Sequence, residues 1–116
     1  MSSESIARML LSLGMGFVFL YFGIEKFLHP LVWIDWLPAW MDNFAGLDKN
    51  QWLKLIGGIE IAIGLGIFVP IDSVKKMAAF LAALHLGAVL TQTGWNDIAV
   101  RDIGLLFMAT ALFFLI

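Results

Sequence analysis

A glutamate stands in the middle of an apolar run, Lys54-Leu55-Ile56-Gly57-Gly58-Ile59-Glu60-Ile61-Ala62-Ile63-Gly64-Leu65-Gly66-Ile67-Phe68-Val69-Pro70. From Gln51 to Val69 there are 19 residues, which at about 1.5 Å per helical residue is roughly the hydrocarbon thickness of a bilayer. Glu60 therefore lies near the membrane centre, where an ionised carboxylate is costly, and with no identified base beside it a structural role is favoured over a catalytic one. Two chemistries are open to it. A neutral carboxyl donates one hydrogen bond across a helix bundle. An ionised one pairs with Lys26, Arg8 or Arg101, or exchanges protons with a substrate. His85 is a second ionisable group at depth, about two turns inside another apolar run. Glu60 with His85 makes a candidate proton site but falls short of a metal's ligand set. His29 lies at the edge of its run, so the two histidines do not make a shared bis-histidine haem site. No metal site and no cofactor attached to the chain are expected.

The elements that position these groups are four apolar spans. The first covers about 6–28 and stops before Pro30, with Ser3 or Ser5 as cap. The Glu60 span covers about 51–69. The turn Pro70-Ile71-Asp72-Ser73 follows, and Asp72 or Ser73 is the expected cap of the third span, about 74–92. Thr93-Gly94-Trp95-Asn96 is the next loop. The fourth span covers about 98–116, capped by Asn96 or Asp97. Short connections make consecutive helices antiparallel. The expected fold is an all-α membrane protein, a single domain over 1–116 with an up-down-up-down bundle.

Helical spacing assigns the faces. In the first span Arg8, Ser12, Gly16, Phe19, Gly23 and Lys26 fall on one stripe, a packing seam with small residues between cationic ends. In the second, Gly57, Glu60 and Gly64 share a face that favours close approach, and Gly58, Ala62 and Gly66 share another. Ile56, Ile59, Ile63 and Ile67 form an aliphatic face suited to lipid. Ala78, Ala82, His85, Val89 and Gln92 line one face of the third.

Residues 31–45 are too short to cross and return. Trp33, Trp36 and Trp40 recur at helical spacing with Asp35, Asp42 and Asn43 between them, a pattern suited to lying flat in the membrane interface. A lid over the end of the bundle, touching a lipid-soluble ligand, is the sharper alternative. The same side collects Trp52 and Trp95, with Glu25, Lys26, His29, Lys54, Asp97, Arg101 and Asp102. Arg101 is expected to pair with Asp97, four residues before it, or with Glu25. The other side holds Arg8, Lys75 and Lys76. Discounting cations beside acids, the N-terminus is expected to be cytoplasmic.

Composition agrees with this class. Of 116 residues, 61% are hydrophobic and the mean hydropathy is +0.93, where soluble domains are about half apolar. A net charge of −2 offers no nucleic-acid surface. There is no cysteine, which excludes thiolate and cysteine-ligated chemistry on this chain. No cleavage-site pattern follows the first apolar run, so it reads as a span, not a signal peptide. No nucleophile–base triad or phosphate loop is present.

Three sets of residues carry a family resemblance. Arg8 opens the first span and Phe22-Gly23-Ile24-Glu25-Lys26-Phe27, then Pro30, closes it. Gly57-Gly58-Ile59-Glu60 is followed by Gly64-Leu65-Gly66. Arg101-Asp102-Ile103-Gly104-Leu105-Leu106 opens the fourth span. In order and spacing these resemble the DoxX family of small four-helix membrane proteins, across essentially the whole chain. The resemblance implies a four-helix fold. It associates the chain with thiosulfate:quinone oxidoreductase and terminal oxidase complexes, or with membrane assembly factors. It carries over Arg8, Lys26, Glu60, Arg101 and Asp102 as polar positions. The expected function is an accessory or assembly subunit of a membrane complex in a prokaryotic plasma membrane, associated with lipids and with other subunits or its own copies. A bound quinone or lipid is the expected ligand, and a quinone-linked oxidoreductase component is the reading if the chain is catalytic. The alternatives are a quinone- or lipid-binding membrane enzyme using Glu60, or a small proton-coupled transporter. Small multidrug transporters, however, carry their glutamate in the first span.

Overall fold

The computed structural model describes residues 2–116. Four long helices carry the chain back and forth: α1 (Ser3–Leu28), α3 (Lys49–Phe68), α4 (Asp72–Thr93) and α5 (Asp97–Leu115), with a short α2 (Pro30–Trp33) after the first. All four long helices have the length and apolar composition to cross a membrane. No β-strand forms among the described residues. The bundle is 49 Å long, enough for a bilayer with its headgroup layers, about 40–45 Å. Helix α1 packs on α3 and α5, and α4 completes the ring between α3 and α5. The outward faces are oily. Leu10, Phe17, Leu84, Phe107 and Phe114 are all at least 60% exposed, a surface that lipid accepts and water does not. The chain is an integral membrane protein.

The helix ends follow local chemistry. Ser2 caps α1, its Oγ accepting from Ser5 N at 3.1 Å, in place of the expected Ser3 or Ser5. Pro30 halts α1 and becomes the first residue of α2. Asp48 and Gln51 form a reciprocal capping box on α3. The expected cap of α4, Asp72, lies inside the first turn with Ile71 at the cap position, because its carboxylate is taken by Arg8 of α1. Lys75 reaches back to the carbonyl of Ile67 at the end of α3. Asn96 caps α5, accepting from Ala99 N at 2.9 Å. Before it, Gly94 takes the left-handed φ of 71° that ends α4.

The α1 seam is realised. Ser12, Gly16, Phe19 and Gly23 are buried, and Gly23 meets Gly57 of α3 backbone to backbone. A Cβ on Gly23 would lie 2.8 Å from Gly57 O, and one on Gly57 would lie 2.9 Å from Gly23 O. The aliphatic face of α3 is divided instead of facing lipid as a whole. Ile63 and Ile67 are core residues with Met15, Phe19, Ala79, Ala82, Ala109 and Leu112, while Ile59 is exposed. The reason is angular. Gly64 and Gly57 bring α1 so close that the neighbouring Ile63 and Ile67 turn into the bundle centre. Gly58 faces open space and is no contact at all.

Gly57→Ala and Gly23→Ala are expected to lose about 1–3 kcal/mol through overpacking against immobile backbone. Gly58→Ala should leave stability level or raised by up to about 1 kcal/mol, from helix propensity alone. Thermal unfolding in detergent checks both; an unchanged melting temperature in Gly57→Ala contradicts the contact.

Candidate functional site

Lys26 stands in the last turn of α1, yet its side chain runs back along the helix into the bundle. Its Nζ lies 2.6 Å from Glu60 Oε1 and donates to Phe22 O at 3.3 Å. Glu60 Oε1 has no donor aligned with it, so charge more than hydrogen-bond geometry makes this contact. His85 of α4 approaches from the other side, Nε2 at 3.5 Å from Glu60 Oε2. Lys26, Glu60 and His85 are all at least 85% buried. Of the two arrangements the sequence left open, the geometry is that of a carboxylate beside a lysine, with Lys26 as the partner in place of Arg8 or Arg101.

A second pair lies alongside. Asp102 of α5 is buried, and Arg101 Nε and Nη2 donate to its Oδ1 at 3.1 and 3.0 Å. The expected partners Asp97 and Glu25 are not used. Asp102 is the carboxylate inside the bundle and has the greater need of a cation, while Glu25 pairs with His29 at 3.0 Å. Phe22 joins the two pairs. The Arg101 guanidinium stacks 4.6 Å over its ring, and Lys26 Nζ lies 4.8 Å over the ring of Trp33, which itself packs edge-on against Phe22. Phe19 packs edge-on against His85.

These groups border one cavity of about 430 Å³, within the size range of small-molecule sites. Lys26, Glu60, His85, Arg101 and Asp102 are its polar wall. Its apolar wall includes Val18, Leu53, Ile56, Leu86 and Leu105. Trp33, Trp36, Leu37, Pro38, Trp40 and Met41 cover it. The covering strap is α2, then two 3₁₀ turns, Ile34–Trp36 and Ala39–Met41. Trp33 is turned inward beneath the strap instead of lying flat on the bilayer, because Lys26 and Phe22 offer its ring a cationic and an aromatic partner. Trp40 is pinned to the end of α4, its Nε1 donating to Gln92 Oε1 at 3.1 Å. Trp52 holds the strap's far end, donating to Phe44 O at 3.0 Å. Trp95 stands 80% exposed in the α4–α5 loop. The segment 31–45 thus covers the cavity with Trp33 while Leu31, Val32, Trp36 and Trp40 keep exposed surface on its outer side.

Of the candidate residues, Lys26, Glu60, His85, Arg101 and Asp102 come together. Glu25 stays outside with His29, and Arg8 pairs with Asp72 at the opposite end. Thr93 borders the site without having been a candidate, and Phe22, quoted above only for the resemblance, packs against both cations. Thr93 sits eight residues after His85, about 80° around α4 from it, so helical spacing alone did not single it out.

No protein-family profile and no solved structure matches the chain. Over 81 residues, 66% of its length, it is 30% identical to a glycerol-3-phosphate acyltransferase of Rippkaea orientalis (strain PCC 8801 / RF-1), and the match spans 37% of that protein. The chain thus covers well under half of this relative.

Lys26→Met is expected to cost about 3–5 kcal/mol, since it strands a buried carboxylate. Adding Glu60→Gln to it should recover most of the loss, because the stranded charge is gone. Denaturation of the single and double variants in one detergent checks this; strictly additive losses contradict the pairing.

Proposed function

We propose that this protein is a membrane subunit that binds a lipid-soluble ligand beneath the tryptophan strap, with Glu60 as the group that meets the ligand's polar end. The supporting observation is convergence: Lys26, Glu60 and His85, from three helices, border one apolar cavity covered by Trp33, Trp36 and Trp40. Hydrocarbon lining suits an apolar body and a buried carboxylate suits a head group that hydrogen-bonds or exchanges a proton. Lys26 and His85 keep that carboxylate oriented.

The chain's own part is to bind and orient the ligand. The chemistry done on it then belongs to a partner in a membrane complex, which is the accessory role expected from the DoxX resemblance. A quinone is the ligand that this resemblance favours. The similarity to a glycerol-3-phosphate acyltransferase favours a glycerolipid or its precursor. Both share an apolar body with an oxygen-bearing head. In this reading the strap side faces outward and the Arg8–Lys75–Lys76 end lies in the cytoplasm of a prokaryotic cell. The pairing of Lys26 and Arg101 with acids supports it, because among the strap-side cations it leaves Lys49 and Lys54 to weigh against Lys75 and Lys76 at the other end.

Mild detergent extraction followed by mass spectrometry of the bound lipid fraction tests the proposal. Wild type should carry a stoichiometric quinone or glycerolipid, and which one appears separates the two sources. Glu60→Gln lowers the melting temperature by leaving the Lys26 ammonium unpaired, so ligand is counted per folded molecule, and there the variant should retain at most about a tenth of it, an effect of the size expected for a lost charge-assisted hydrogen bond. Equal retention by wild type and the variant would end the assignment of Glu60.

A further inference from the structure

We infer that the head group this cavity accepts is uncharged and carries both a hydrogen-bond donor and an acceptor, as a lipid hydroxyl does. The inference rests on the ligand-binding reading above and narrows it: it selects a quinol over a quinone, and a glycerolipid with a free hydroxyl over one that carries a phosphate.

Charge balance comes first. The cavity wall holds two cations and two anions, and they are paired among themselves: Lys26 with Glu60 and Arg101 with Asp102. His85 is itself turned to the Glu60 carboxylate, 3.5 Å from Oε2, so no cation on the wall stands without an acid beside it. A carboxylate, phosphate or ammonium drawn into this site would lose its hydration and find no unpaired opposite charge to replace it. An uncharged head loses far less.

Unpartnered polar atoms come second. Among the described residues, the buried side-chain polar atoms without a hydrogen-bond partner are Trp33 Nε1, Glu60 Oε1 and Thr93 Oγ1. All three belong to residues that border this one cavity. Trp33 Nε1 and Thr93 Oγ1 have no partner, and Glu60 Oε1 has only the poorly aligned Lys26 ammonium; buried polar atoms are normally satisfied, so their gathering around one space points to a partner that enters it. Their chemistry is mixed: an indole N–H only donates, a carboxylate oxygen only accepts, and a hydroxyl does either. A hydroxyl head answers both kinds. An ammonium answers only acceptors, and a carboxylate or sulfate only donors. The Lys26 ammonium lies 2.6 Å from Glu60 Oε1, and a carboxylate oxygen has a second acceptor site that a head-group donor can take with the pair intact. Thr93 needs only a rotation about its Cα–Cβ bond.

The test compares four probes with the same brominated eleven-carbon chain, in nanodiscs of zwitterionic lipid: ω-bromoundecanol, its methyl ether, the alkyl sulfate and the alkyl trimethylammonium. Bromine quenches tryptophan on contact, and quenching beyond that of Trp33→Phe reports occupancy under the strap. The alcohol should bind at least about tenfold more tightly than either charged probe, and several-fold more tightly than the ether, which accepts but cannot donate. Thr93→Val should narrow the gap between alcohol and ether. A charged probe binding as well as the alcohol, or an ether equal to it, overturns the head-group assignment while leaving a ligand cavity. Failure of all four probes to quench specifically overturns the ligand-binding reading as well.

Discussion

The contact between the Lys26 ammonium and the Glu60 carboxylate decides how this bundle is assembled. Each charge alone, at that depth, would cost several kcal/mol in a membrane. Together they are tolerable only if the helices that carry them are held in one register. A lysine this close to a helix end would ordinarily extend toward the headgroups. Lys26 does the reverse. Helical side chains lean toward the N-terminus of their helix, and in α1 that direction leads down into the bundle, past Phe22, to the carboxylate. The ion pair is thus a consequence of chain direction as well as of charge.

Close backbone approach makes that geometry available. Gly23 and Gly57 leave α1 and α3 touching through their peptide groups. Van der Waals contact of this kind is the main attraction between helices in lipid, where no hydrophobic effect drives them together. A larger residue at either position would push the helices apart and lengthen the span the lysine has to cover. Packing and electrostatics therefore act on the same two helices, one holding what the other requires. Where α3 turns from α1 toward α4, the centre of the bundle is filled by alanines, and a cavity opens below the strap, beside Glu60.

Much of this was legible from residue types. The four spans follow from apolar runs of bilayer length, and the polar stripe of α1 follows from a spacing of three and four. Glu60, Lys26, His85, Arg101 and Asp102 were recognisable as ionisable groups inside or bordering apolar runs. Their partners were not. Helix spacing offered Asp97 to Arg101, but burial of Asp102 prevailed, and no local pattern states which carboxylate faces the bundle. The strap was ambiguous for the same reason. Tryptophans at helical spacing suit a bilayer surface and a lid equally well, and the choice depends on whether a cation and an aromatic ring wait beneath them. Lys26 and Phe22 supply both, from a helix that the spacing of the strap cannot see. The lipid face assigned to the isoleucines of α3 failed because a helix gripped on one side by glycines presents its next face to the core.

The two ion pairs also explain why the cavity persists between helices that could otherwise close on it. Apolar side chains fill space freely because their contacts are non-directional. A paired lysine, glutamate, arginine and aspartate cannot be repacked without separating charges in a low-dielectric surrounding. Phe22 is held between the two cations, stacked under Arg101 and edge-on to Trp33, so it cannot swing in to fill the space either. The strap closes the outer side through a few directional contacts, Trp40 to Gln92 and Trp52 to Phe44. Its hold on the bundle is consequently weaker than the hold of the helices on one another. A rigid polar wall under a lightly fastened aromatic cover is an arrangement through which a molecule dissolved in the bilayer can enter without disturbing the helices.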